Sequence, residues 1–106
     1  MAKYLARASY SVDGVKGLMK DKASGRRTAV AKLAESLGGK LECFYFAFGA
    51  DDVVSIVDLP DHAAAASFSL TVNSAGTAQL SMTPLLTVED MDAGIGKSVT
   101  YRPPGR

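Results

Sequence analysis

Apolar and polar positions along the chain fall into two rhythms. Lys3–Ser11 alternates: Tyr4, Ala6, Ala8 and Tyr10 share one side, and Leu5, Arg7 and Ser9 the other, the period-two pattern of a half-buried strand. From Val15 the rhythm changes, with Val15, Leu18, Met19, Ala23, Val30, Leu33, Ala34 and Leu37 mostly three or four apart, a single stripe at helical spacing. Ser11 or Asp13 is placed to cap this helix, because either side chain can accept a hydrogen bond from an unpaired first-turn N–H. Ser24-Gly25 interrupts the stripe, predicting a bend or two helices in succession. Gly38-Gly39 ends it, since glycine takes the left-handed C-cap conformation without steric penalty.

Two apolar runs follow, Lys40–Phe48 and Asp52–Asp58, joined by Gly49-Ala50-Asp51-Asp52, and they predict a β-hairpin. In the first run strict alternation puts Glu42, Phe44, Phe46 and Phe48 on one face and Leu41, Cys43, Tyr45 and Ala47 on the other, so both faces are apolar. In the second, Val54 and Ile56 oppose Val53, Ser55 and Val57. Pro60 stops the strand and Asp61 caps an Ala-rich helix from about His62 to Ala75, with Ala66, Phe68 and Leu70 available for packing. Thr77–Leu86 reads as a fourth strand. Thr87-Val88-Glu89-Asp90 resembles a capping box that opens a short acidic helix, and the Pro-rich tail 97–106 reads as extended.

The order β-α-β-β-α-β is that of a ferredoxin-like α+β domain with a four-stranded antiparallel sheet, and residues 1–106 form a single domain of this kind. Two helices cover one face of such a sheet. The two-sided apolar strands therefore call for a second copy against the open face, giving a homodimer of the α+β barrel type, with a higher oligomer also open.

Composition narrows the functional classes. No apolar run reaches the roughly 20 residues of a membrane span, and the first residues lack an apolar stretch of signal length, so the reading is a cytoplasmic protein without a membrane partner. The single cysteine, Cys43, rules out an internal disulfide and a cysteine-based zinc site, and in an apolar strand it reads as a small packed hydrophobe. Charge is uneven. Residues 1–40 carry nine Lys or Arg against three Asp or Glu, and residues 41–96 carry eight Asp or Glu and no Lys or Arg. The basic residues are spread along a helix without interleaved aromatics, which points away from nucleic acid. They also fit a contact in which the basic first helix of one dimer meets the acidic hairpin of another.

At the hairpin the chain resembles a known family. Lys3-Tyr4-Leu5, Ala8-Ser9-Tyr10-Ser11 and Asp13-Gly14 are followed by Leu37-Gly38-Gly39, by Phe46–Asp61 (FAFGADDVVSIVDLPD), by Leu85-Leu86-Thr87 with Glu89 and Met91, and by the tail Tyr101–Gly105. Together these are similar to the GYD-domain family, named for a Gly-x-Tyr-Asp turn between the second and third strands. Gly49 and Asp52 match that turn, and Asp51 stands where the family usually has tyrosine. The resemblance implies a dimeric α+β barrel and no particular reaction.

Candidate chemistry is sparse, and each candidate has a plain alternative. Gly94–Ser98 ends like a phosphate loop, but the first glycine of G-x-x-x-x-G-K-S/T would fall at Met91 and no buried strand precedes it. No cofactor is expected. His62, the only histidine, is either an exposed residue at a helix start or a base at the barrel mouth near the hairpin carboxylates. Asp51 and Asp52, with Asp58 and Asp61, lack the loop spacing of a calcium site, and no metal is expected. Arg7, Ser9, Ser55, Gln79, Ser81 and Thr83 form a polar series at period two. A lone Arg7 is too costly to bury under the helices, so the series is assigned to the face turned toward a partner. There Arg7 either binds a small polar or anionic molecule or pairs with Glu42 across the dimer. The candidate ligand-binding residues are Arg7, Tyr10, Tyr45, Ser55 and His62. The leading reading is a homo-oligomeric small-molecule-binding or structural module. The alternative is a cofactor-independent enzyme acting on a small organic substrate in the barrel, a fold-level analogy.

Overall fold

Strand β1 (Ala2–Tyr10) keeps its predicted alternation, with Tyr4, Ala6 and Ala8 buried and Arg7 exposed, in a computed structural model that describes residues 1–106. Ser11 is the cap that starts helix α1 (Val12–Ser36): its hydroxyl accepts the Gly14 N–H at 3.1 Å, while its own N–H donates to the Thr77 carbonyl. The helix breaks at Lys22 (φ 69°, ψ 161°), two residues before Ser24-Gly25. Gly25 lowers helix propensity locally, and the break falls just ahead of it. Before it, Val12, Val15 and Met19 stay outside. After it, Val30, Leu33, Ala34 and Leu37 pack on the sheet. Gly38, with φ 81°, ends the helix as read from the sequence.

Strands β2 (Lys40–Phe46) and β3 (Val53–Leu59) form the hairpin, helix α2 (His62–Ser74) follows its Asp61 cap, and β4 (Ala78–Pro84) completes an antiparallel sheet of order β2-β3-β1-β4. This is the expected ferredoxin-like α+β fold. The central pair β1 and β3 supplies Tyr4, Ala6, Val57 and Leu59 to a core closed by Ala34 of α1 and by Ala64, Ala65 and Phe68 of α2. Leu70 and Ala66, expected to pack, point outward, because α2 presents the face that runs through Ala64, Phe68 and Val72.

A β-bulge corrects the alternation expected for β2. Leu41 pairs with Val57, but the next paired residue, Cys43, meets Ile56, so Glu42 is the extra residue. Past the bulge Phe44 faces Ser55 and Phe46 faces Val53. Leu41, Phe44 and Phe46 therefore share the helix side, and Cys43 and Tyr45 the open side. The strand also ends at Phe46, where the Ala47 N–H donates to the Asp52 carbonyl and closes the turn.

Beyond β4 the chain leaves the domain. The Leu85 N–H donates to the Lys3 carbonyl, and helix α3 (Val88–Ile95), with the expected capping box of Thr87 and Asp90, buries no residue. The Cα radius of gyration is 17.0 Å, against about 13 Å for a compact domain of this length. Residues 85–106 form an arm.

The β2–β3 edge depends on a close approach. A methyl group on Gly39 would sit on the Asp58 carbonyl oxygen and 2.8 Å from Leu59 Cδ2. Gly39→Ala is expected to lower unfolding free energy by about 2 kcal/mol through overpacking. Gly49→Ala, with nothing within 4 Å of the added carbon, should stay within about 0.5 kcal/mol of wild type in urea denaturation.

Candidate functional site

The hairpin turn is folded back over the end of β1, and this builds a polar concavity. The Asp52 carboxylate accepts the Tyr10 N–H at 2.8 Å, the Asp52 N–H donates to the Ala8 carbonyl at 2.8 Å, and the Ser9 hydroxyl donates to the Ala50 carbonyl at 2.9 Å. Asp52 thus continues the β-ladder with its own side chain, a job for which Asp is suited in turns. So anchored, the turn carries Asp51 to Arg7, with Nη1 3.8 Å from Oδ2. The two neighbouring carboxylates have separate tasks, one on backbone and one on a guanidinium.

Arg7 and Asp51 border an open depression of about 990 Å³ that also includes Ser9, Tyr10, Gln79 and Ser81. Arg7 lies opposite Ser81, Ser9 opposite Gln79 and Leu5 opposite Thr83, so five of the six residues of the polar series share the open face. Ser55 does not. It pairs with Ala6 on the helix side, is buried, and donates to the Ala6 carbonyl at 3.2 Å. The sequence grouped residues by type, whereas the strand register puts Val54 opposite Arg7.

The far end of the open face holds a second charged group. Lys3 Nζ lies 2.9 Å from Glu42 and 3.0 Å from Asp58. Glu42 therefore pairs within the chain with Lys3, and the bulge delivers it there. Asp58 is almost covered, with a side chain 6% exposed, and its charge is matched by this lysine. The hydrogen bonds to Glu42 and then Asp58 raise the Lys3 pKa above its ordinary 10.5. Between the two charged ends lie Leu5, Val54, Ile56, Cys43 and Tyr45, with Tyr45 69% exposed.

The five candidate ligand residues fall in three places. Arg7 and Tyr45 are on the open face. Tyr10 borders both the depression and, with Ser55, a cavity of about 50 Å³ on the helix side, among Phe44, Val53 and Phe68 with Arg26 at its wall. His62 sits at the start of α2, its Nδ1 sharing a 2.6 Å hydrogen bond with the Tyr4 hydroxyl and its ring edge-on to the tyrosine. That position is at the end of the sheet where β3 finishes, with Asp58 and Asp61, and away from Asp51 and Asp52 where β3 begins. Its partner Tyr4 is a core residue, and nothing in the local sequence signals the pair. Asn73 also escaped the sequence reading. Its side chain accepts the Leu80 N–H at 2.7 Å and donates to the Leu80 carbonyl at 3.1 Å, tying α2 to β4 at the rim of the depression. No group of three His, Cys, Asp or Glu side chains converges to hold a metal ion. The Gly94–Ser98 motif closes α3, with Gly96 at its C-cap, whereas a phosphate loop opens a helix. No helix is long and apolar enough to cross a membrane.

The raised Lys3 pKa gives a stability signature with a definite sign. Because the folded value exceeds the unfolded one, its contribution is fully present below the unfolded pKa and is lost as pH rises through the folded pKa. Thermal midpoints measured across strongly alkaline pH should fall for the wild type. In Lys3→Met that fall should be smaller and the midpoint at neutral pH lower.

No curated protein and no solved structure matches the chain. A family model described as the GYD domain matches residues 4–95, from the first core tyrosine through the last residue of α3. The chain belongs to the GYD-domain family.

Proposed function

We propose that this protein is a homodimeric binding module. Two copies close their open sheet faces on each other as an α+β barrel, and a small polar or anionic molecule is held beside Arg7 by Ser9, Gln79 and Ser81. The observation that carries the reading is the division of the sheet. Both helices lie on one face, and the other presents a central apolar band of Leu5, Val54, Ile56, Cys43 and Tyr45 between two charged ends. An apolar band framed by ion pairs suits burial against an identical band, since burying apolar surface contributes roughly 25 cal/mol per Å². The charged ends resist misregistered pairings.

The ligand chemistry follows from Arg7. Its contact with Asp51 is long and both side chains are partly exposed, so the pair contributes at most about 1 kcal/mol. A carboxylate or similar anion that engages the guanidinium fork with two short hydrogen bonds competes well with such a partner. The surrounding hydroxyls and the Gln79 amide offer both donors and acceptors. The same geometry favours binding over cofactor-independent catalysis. That chemistry needs His62, Tyr45 or Tyr10 within hydrogen-bond reach of one another, whereas His62 is held by Tyr4, Tyr45 lies on the open face and Tyr10 is beside the hairpin.

Sedimentation equilibrium at micromolar concentration should give twice the chain mass or a multiple of it. Ile56→Lys, which places a charge in the centre of the band, should lower that mass. A monomeric wild type contradicts the reading. Titration with acetate, succinate and benzoate, followed by amide NMR, should shift Ser9, Gln79 and Ser81 signals in the wild type. The shifts should be lost, or weakened at least tenfold in affinity, in Arg7→Met. Shifts that survive that substitution would place the ligand elsewhere.

A further inference from the structure

Two apolar stripes of this chain are left exposed, and they match. On the first segment of α1, ahead of the break at Lys22, Val12, Val15 and Met19 follow one another at i, i+3 and i+7. On α3, Val88, Met91 and Ile95 do the same. Each of these six side chains is at least 43% exposed. The residue following two of the three apolar positions is basic on α1, Lys16 and Lys20, and acidic on α3, Glu89 and Asp92. Successive helix residues turn by about 100°. The flanking charges of two facing stripes therefore meet on the same side when the helices run antiparallel. Lys16 is then level with Asp92, and Lys20 with Glu89.

We propose that the C-terminal arm docks α3, antiparallel, on the first segment of α1 of a second copy of this chain. The arm's own α1 is poorly placed to receive it. Only Leu85–Thr87 separate β4 from α3, and Leu85 is bonded to Lys3 at the beginning of β1. The α1 segment starts beyond Tyr10, about 23 Å further along that strand at roughly 3.3 Å per residue. It begins beside Thr77, just ahead of β4, at the opposite end of that strand from the point where the arm leaves. The hairpin carboxylates are already engaged, Asp51 with Arg7, Asp52 with Tyr10, Asp58 with Lys3 and Asp61 as a helix cap. The acidic surface free to meet the basic helix is therefore α3, and the contact is independent of the open sheet face.

The experiment is a charge swap in the full chain, read as mass by sedimentation velocity. Glu89→Lys with Asp92→Lys in one protein, and Lys16→Glu with Lys20→Glu in a second, should each lower the mass at least twofold below wild type. Circular dichroism should remain that of the wild type, because all four residues are exposed. Mixing the two variants should restore the wild-type mass. Every arm then meets an α1 segment of opposite charge, but only on the other protein, so docking within one chain cannot be rescued this way. High salt should lower the wild-type mass toward that of the variants. Unchanged mass in either variant, or loss without restoration on mixing, overturns the proposal. Loss of the sheet-face contact is distinguishable, because Ile56→Lys lowers mass without being rescued by either charge-swapped protein.

Discussion

The period-two alternation of β1 divides the molecule, and everything else follows from which side of that strand a residue falls. Tyr4, Ala6 and Ala8 go into the core, and Leu5, Arg7 and Ser9 go to the open face. Because β1 is hydrogen-bonded on both edges, to β3 and β4, its register sets the facing of the central pair and the fourth strand together. A slip of one residue would drive the Arg7 guanidinium into the core, where an unpaired charge costs several kcal/mol. The same constraint sends both helices to one face and leaves the other without cover.

The turn Gly49–Asp52 is the local counterpart of this division. Its contribution is mechanical: Asp52 binds the backbone at both Ala8 and Tyr10, which seats the hairpin on β1 and brings Asp51 within an ion pair of Arg7. In this chain the turn of the GYD family is a clasp between the hairpin and the central strand. The chemistry it makes available is an arginine whose partner is easily displaced.

Much of the architecture was legible in the residues. Ser11, Asp61 and Thr87 cap the three helices, Gly38 ends the first, and every strand appears within a few residues of its expected bounds. These signals are local, set by side chains bonding their own backbone or by a two-residue period. The misreadings are the places where a distant element decides. The bulge at Glu42 shifts Phe44 and Phe46 relative to Leu41, and only the pairing with β3 reveals it. Ser55 looks like Ser9 and Ser81 by type, yet the β1–β3 register sends it inside. The bend expected at Ser24-Gly25 is present but falls two residues earlier, at Lys22. The candidate site was legible in its arginine and its polar strand positions. It was not legible in Asn73, or in the pairing of His62 with the core residue Tyr4, both of which depend on contacts between elements far apart in sequence.

In the proposed dimer the open sheet face is covered in solution by a second copy. Tyr45 reports on it directly, since its side chain stands on that face, 69% exposed in the isolated chain. Ring resonances of Tyr45 can be recorded in the presence of a soluble paramagnetic agent, with the exposed Tyr101 of the tail as internal reference. A face buried against a second copy should leave Tyr45 protected while Tyr101 broadens strongly. Equal broadening of both rings would contradict the dimer.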